Sequence, residues 1–239
     1  MARRGALIGI LALLLARPAE ATELDRMREL DEAQRQQRAF YERAFSELRQ
    51  SEAERIGAED GHVKRNGAEL ELWLSQGRKT FFRNDDSRCL QGLIPSREDG
   101  CVEFIFIGHP IERFYLLRAH YLAGSDYRLV DRVTGLSTKL IAEPHFSPDS
   151  RRFITVSAAE IYDPVGIEMW SISEGEPSLD WQHRPTAYAL YDFIRWEGNA
   201  SVMLDVATYI GGEIRHVPAR LTLGDGGWRL DGPAESSRY

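Results

Sequence analysis

The sequence predicts a mainly β fold: antiparallel, propeller-like or stacked β-sheet repeats with a long N-terminal helix. Three observations carry that expectation. From His62 onward, short runs of β-branched and aromatic residues are separated by turn formers, as in an all-β domain. Segments recur at a spacing of 40, which is the length of a four-stranded blade. Residues 23–56 contain neither Gly nor Pro and are rich in Glu, Arg, Gln, Ala and Leu, the residues that helices favour.

Taken in order, residues 1–21 read as an export signal. Arg3 and Arg4 precede an uncharged, mostly apolar run from Gly5 to Ala16, and Ala19-Glu20-Ala21 supplies a small-x-small cleavage site. The run is shorter than the roughly 20 residues that span a bilayer, and no later run is longer. The expected location is therefore periplasmic or secreted, from a bacterium, with no membrane span after cleavage. Cleavage removes Arg3, Arg4, Arg17 and Glu20, leaving 27 basic against 36 acidic residues. A chain this acidic, with no basic stripe, excludes nucleic acid as a partner, because Lys and Arg on phosphate dominate that affinity.

Residues 22–58 are the N-terminal helix, with Thr22 as its cap and Gly57 as its stop. Leu24, Met27 and Leu30, then Tyr41, Ala44, Phe45 and Leu48, recur at helical steps. Three glutamines (Gln34, Gln36 and Gln37) interrupt the stripe, so a solvated helix packed at its Phe40–Leu48 end fits better than a coiled coil. Cys89 and Cys101 are the only cysteines, and in an oxidising compartment they are expected to close a structural disulfide worth about 3 kcal/mol.

The β-repeat domain occupies residues 59–231, with a flexible tail at 232–239. Tyr127–Gly135 aligns with Ile167–Gly175, and the strands that follow, at Thr138 and Ser178, keep the spacing. Phe106 and Phe146 are also 40 apart, and Trp196 opens a third version of the Phe146 segment 50 residues on. Gly77, Gly135, Gly175 and Gly224 are expected in outer hairpin turns, where positive φ is often required. Phe146, Phe153, Trp170 and Trp196 are expected in the β core.

The stretch His145-Phe-Ser-Pro-Asp-Ser-Arg-Arg-Phe-Ile154 resembles the aromatic–Ser–Pro–Asp–Gly–basic signature of TolB-type and WD-like β-propeller blades. Ser150 stands where that signature has Gly, and no Trp-Asp dipeptide ends a strand. From Cys89 to Leu204, the order of paired Cys, strand, strand–Thr–Gly, Ser-Pro-Asp turn and isolated Trp strand resembles small exported bacterial proteins of unassigned activity. The resemblance implies an architecture and no site residues.

Residues that carry chemistry are scattered. His62, His109, His120, His145, His183 and His216 are never two to four positions apart, so no local zinc motif exists and no metal or cofactor is expected. His109 and His145 read as turn residues at equivalent points of the repeat. No Gly-x-Ser-x-Gly or Ser-x-x-Lys occurs, and no catalytic residue is assigned. The reading leans away from an enzyme, towards an exported binding or protein-interaction module. The alternatives are a cell-envelope hydrolase using loop carboxylates such as Asp149, Glu160 and Asp163, or an inhibitor of an envelope enzyme presenting Gly92–Gly100. The departure from the 40-residue period between Trp181 and Trp196 points to a recognition surface for a protein or small polar ligand. Its residues would be His183, Arg184, Tyr188, Tyr191 and Asp192, with both tyrosines exposed.

Overall fold

The computed structural model describes residues 28, 32, 35–36, 46–85, 102–121, 124–158, 165–185 and 189–232. The export signal, Cys89, Cys101, Gly92–Gly100, Glu160, Asp163, Tyr188 and residues 233–239 lie outside them. Two compact units divide the chain, Met1–Ser46 and Glu47–Tyr239. In the first, Arg28, Glu32, Arg35, Gln36 and Ser46 are helical. In the second, residues 47–57 are helical (α1) and end at the expected Gly57.

After α1 the described residues form four antiparallel sheets whose strands pair in chain order. The first sheet holds β1 (Val63–Asn66), β2 (Glu69–Trp73) and β3 (Lys79–Arg83). The second holds β4 (Val102–Ile111), β5 (Phe114–Tyr121), β6 (Gly124–Asp131) and β7 (Ser137–Leu140). The third holds β8 (Pro144–Phe146), β9 (Arg152–Ser157), β10 (Gly166–Ser173) and β11 (Glu176–His183). The fourth holds β12 (Ala189–Trp196), β13 (Ser201–Ile210), β14 (Glu213–Gly224) and β15 (Gly227–Asp231). The 40-residue repeat therefore spans one whole sheet: its Tyr127 and Ile167 segments are third strands, and Thr138 and Ser178 lie on fourth strands.

Alternation along each strand gives each interior sheet two apolar faces, and three clusters join successive sheets. Leu70, Leu72 and Val63 meet Phe106, Tyr115 and Val130 between the first and second sheets. Phe114, Leu116, Leu129 and Leu140 meet Phe153, Phe146 and Trp170 between the second and third. Ile154, Ile167 and Met169 meet Tyr191, Val206 and Leu221 between the third and fourth. Of the four aromatics expected in the core, Phe153 is fully buried; Phe146, Trp170 and Trp196 are half-buried and packed on these clusters.

A first strand pairs on one side only, and an unpaired edge invites association. Here β4 is closed by side chains. Asp85 exchanges backbone bonds with Val102, Asn84 Oδ1 accepts from Phe104 N, and Arg65 Nη2 donates to Phe104 O. Two turns of α1 finish the edge: Glu52 Oε1 accepts from Phe106 N and Arg55 Nε donates to Phe106 O.

The Ser-Pro-Asp turn joins β8 to β9. Ser147 Oγ donates to Asp149 Oδ1 at 2.7 Å, Arg152 N donates to Ser147 Oγ, and Ser150 N donates to Ser147 O. Ser150 has φ of 56°, the left-handed conformation that the usual Gly would supply freely. Ser150→Gly is therefore expected to raise stability by about 1 kcal/mol, seen as a higher urea midpoint; an unchanged or lower midpoint would contradict it.

Gly135 and Gly175 occupy positive-φ turns between third and fourth strands, as expected, and Gly77 does so between β2 and β3. In the last hairpin the positive φ belongs to Gly227, not to Gly224, which ends β14 in extended pairing. At Gly175 (φ 89°) a Cβ would stand 1.7 Å from Arg113 Cζ, a guanidinium pinned by Asp131 across two bonds. Gly175→Ala is expected to lose about 1–3 kcal/mol, more than Gly211→Ala, which meets only open space. Equal losses in thermal melts would sink the close-approach argument.

Candidate functional site

Because the strands run up and down in order, each four-stranded sheet has two different ends. At one end lie the short turns after first and third strands. At the other lie the connections between second and third strands, and those between sheets. Asn199 Oδ1 accepting from Asp149 N joins the turn ends of the third and fourth sheets. His183 and Tyr191 join the opposite, connection ends of the same two sheets.

Buried polar side chains collect at the connection ends. Of the ten buried polar or charged residues among those described, Glu103, Asp126, Thr155, Ser157, Glu168 and Thr208 lie within three residues of those strand ends. Burying such groups is unfavourable unless they are hydrogen-bonded, so a one-ended accumulation marks this end as the candidate site. On the third sheet Glu168, at 6% exposure, accepts from Arg184 Nη2 at 2.6 Å and from Thr155 Oγ1 at 3.2 Å. Arg184 reaches Glu168 by passing over Gly166, where a Cβ would meet the His183 carbonyl.

On the second sheet, Arg118, His120, Ser125 and Tyr127 share one face with Glu103. Arg118 Nη2 donates to Ser125 Oγ at 3.1 Å, and its guanidinium lies 6.0 Å from the Tyr127 ring centre. Burial, with a smaller contribution from the Arg118 charge, pushes the His120 imidazole below its ordinary range. Burial raises the Tyr127 phenol. On the opposite face, Asp126 takes Tyr121 OH at 3.1 Å and Lys139 Nζ at 3.0 Å.

Of the five residues expected on a recognition surface, the fold brings three together and corrects one. His183 Nε2 and Tyr191 OH are 3.1 Å apart with their rings edge-on, and Arg184 adjoins them in sequence on its way to Glu168. Tyr191 is not exposed. It is 3% exposed on β12, because Tyr191 and Phe193 alternate inward while Asp192 alternates outward into solvent. Much of the departure from the 40-residue period is strand: β12 has eight residues where β8 has three.

His109 and His145 also differ from expectation, lying in β4 and β8 instead of in turns. His109 Nε2 pairs with Glu59 just beyond α1, and its ring packs on Tyr115. His145 stacks on Phe193 at 4.0 Å, and its carbonyl accepts Trp196 Nε1. Burial, offset in part by Glu143, holds the His145 imidazole below its ordinary range. A histidine depressed in the folded state takes its proton more readily unfolded. His120 and His145 therefore contribute stability above about pH 6.5, lost as pH falls below it. Thermal melts between pH 7.5 and 5.5 should show that decline, and His145→Phe should flatten it; an equal decline in the variant would contradict the assignment.

Asp149 serves the turn, where the Ser147 hydroxyl and the Arg151 amide hold its carboxyl below the usual carboxylate range. Among the described residues no three His, Cys, Asp or Glu side chains gather as a metal site, and no helix is long and apolar enough to cross a membrane. No family model, curated protein or solved structure matches the chain.

Proposed function

We propose that the chain is an exported, non-enzymatic binding or protein-interaction module of propeller-like repeats, with its recognition surface at the connection ends of the third and fourth sheets. One observation carries the non-enzymatic part. All six buried carboxylates among the described residues are neutralised within the framework: Glu52 by Arg65, Glu71 by Lys79, Glu103 by Arg49, Asp126 by Lys139, Asp131 by Arg113 and Glu168 by Arg184. A carboxylate that serves as general acid or nucleophile must be at liberty to meet substrate. The propeller-like part rests on strand order and period: three consecutive four-stranded meanders whose spacing is that of a blade.

The test uses the mature chain from Thr22, immobilised and exposed to an extract of its own cell envelope. Wild type is expected to retain a protein or polar ligand that Tyr188→Ala/Asp192→Ala loses, with both proteins melting at the same temperature. Equal retention would remove the site. Turnover of a cell-wall sugar or peptide by the purified chain would replace the binding reading with the hydrolase.

A further inference from the structure

At the turn ends, far along the strands from the polar cluster above, a cleft of about 700 Å³ opens between the first and second sheets. Trp73, Leu74 and Ser75 line it from the end of β2, with His62 beside them. Ile111, Glu112 and Arg113 come from the β4–β5 turn, Arg132 and Val133 from the end of β6, and Ser150 from the Ser-Pro-Asp turn. The volume lies in the range of small-molecule sites, and three aliphatic side chains and Trp73 share the lining with six polar or charged residues.

The two guanidiniums in this cleft are differently engaged. Arg113 is committed to Asp131, through Nε at 2.8 Å and Nη2 at 2.7 Å. Arg132 has no carboxylate partner among the described residues: Nη1 donates to the Glu112 carbonyl, and the guanidinium lies 5.0 Å above the Tyr115 ring. Its backbone is fixed on both sides, N donating to Arg113 O and O accepting from Ser75 N. Tyr115 is itself anchored, fully buried with its hydroxyl donating to Trp73 O. Arg132 is thus a half-buried, positioned cation that no carboxylate among the described residues neutralises, in a chain of net charge −7.

We propose that this cleft binds a small carboxylate-bearing molecule, with the planar Arg132 fork taking the carboxylate and Leu74, Ile111 and Val133 covering an apolar body. A planar guanidinium matches a carboxylate in two parallel hydrogen bonds, and Ser75 and Ser150 line the same space. The cleft is too large for a bare inorganic anion alone, which is why the apolar walls enter the assignment.

The probe is 3-phenylpropionate, with its uncharged amide as the control, titrated into the full chain by tryptophan fluorescence and thermal shift. Wild type should bind the acid saturably and the amide on the order of tenfold or more weakly, the margin of a charge-assisted bond. Arg132→Gln should lose the acid's advantage, and Arg132→Lys, which keeps the charge without the fork, should retain part of it. Arg151→Gln, outside the cleft lining, should bind as wild type does. If Arg132→Gln melts early, the acid-to-amide ratio measured below its transition still decides. No saturable binding, equal binding of acid and amide, or an unchanged ratio in Arg132→Gln would overturn the proposal.

Discussion

Glu52→Ala is expected to lower stability by about 3–5 kcal/mol, the scale of breaking a buried ion pair by removing one partner. Glu52 is 2% exposed. Its two oxygens accept from Arg65 Nε at 3.1 Å and Nη2 at 2.6 Å, and Oε1 also accepts from Phe106 N. Removal leaves the Arg65 guanidinium, already lacking a partner at Nη1, with a buried charge, and exposes the β4 edge. Glu52→Gln keeps an acceptor for Phe106 N and should lose less. In a double-mutant cycle, Arg65→Ala and Glu52→Ala should couple by about 0.5–3 kcal/mol. A loss under about 1 kcal/mol in urea denaturation would mean that α1 is not part of the cooperative unit.

The same residues show what sequence reading can and cannot see. Along α1 the covered positions are Leu48, Ser51, Glu52, Arg55 and Ile56, and Glu59 just beyond it continues the stripe. Half of it is charged, so a search for apolar periodicity passes over the one face that holds the helix to β1 and β4. The opposite holds in the sheets. Turn residues and alternating strands are local properties, so the 40-residue spacing of Tyr127 with Ile167 was legible and identifies corresponding strands. Side-chain closure of an edge is not local: Asn84, Arg65, Glu52 and Arg55 come from three separate elements to serve two residues of β4. Tyr191 was readable in principle. Ala189, Tyr191 and Phe193 alternate with Leu190, Asp192 and Ile194, a strand pattern that runs through the break in the period. The Arg132 cleft left no mark in the sequence, since its lining comes from five elements and no spacing links them.

Phe153→Ala is expected to cost about 3–5 kcal/mol, the usual range for emptying a buried aromatic site. The side chain is fully buried where the second and third sheets meet. It stacks on Trp170 at 5.7 Å and 9°, and tilts against Phe146 at 5.1 Å. Both neighbours are its register partners on adjacent strands, Phe146 on β8 and Trp170 on β10, so the three rings form one ladder across the sheet. Removing the central ring leaves the outer two without a common neighbour, and backbone pairing on both sides resists collapse into the space. Phe146→Ala, at a half-buried position beside the Ser-Pro-Asp turn, should lose less, because solvent already reaches part of that ring. Phe153→Leu should fall below Phe153→Ala as well, since most of the volume is kept. The order Phe153→Ala, then Phe146→Ala and Phe153→Leu, can be read from urea midpoints at constant slope. If Phe146→Ala proved the more damaging, the load between these sheets would rest on the turn and not on the ladder.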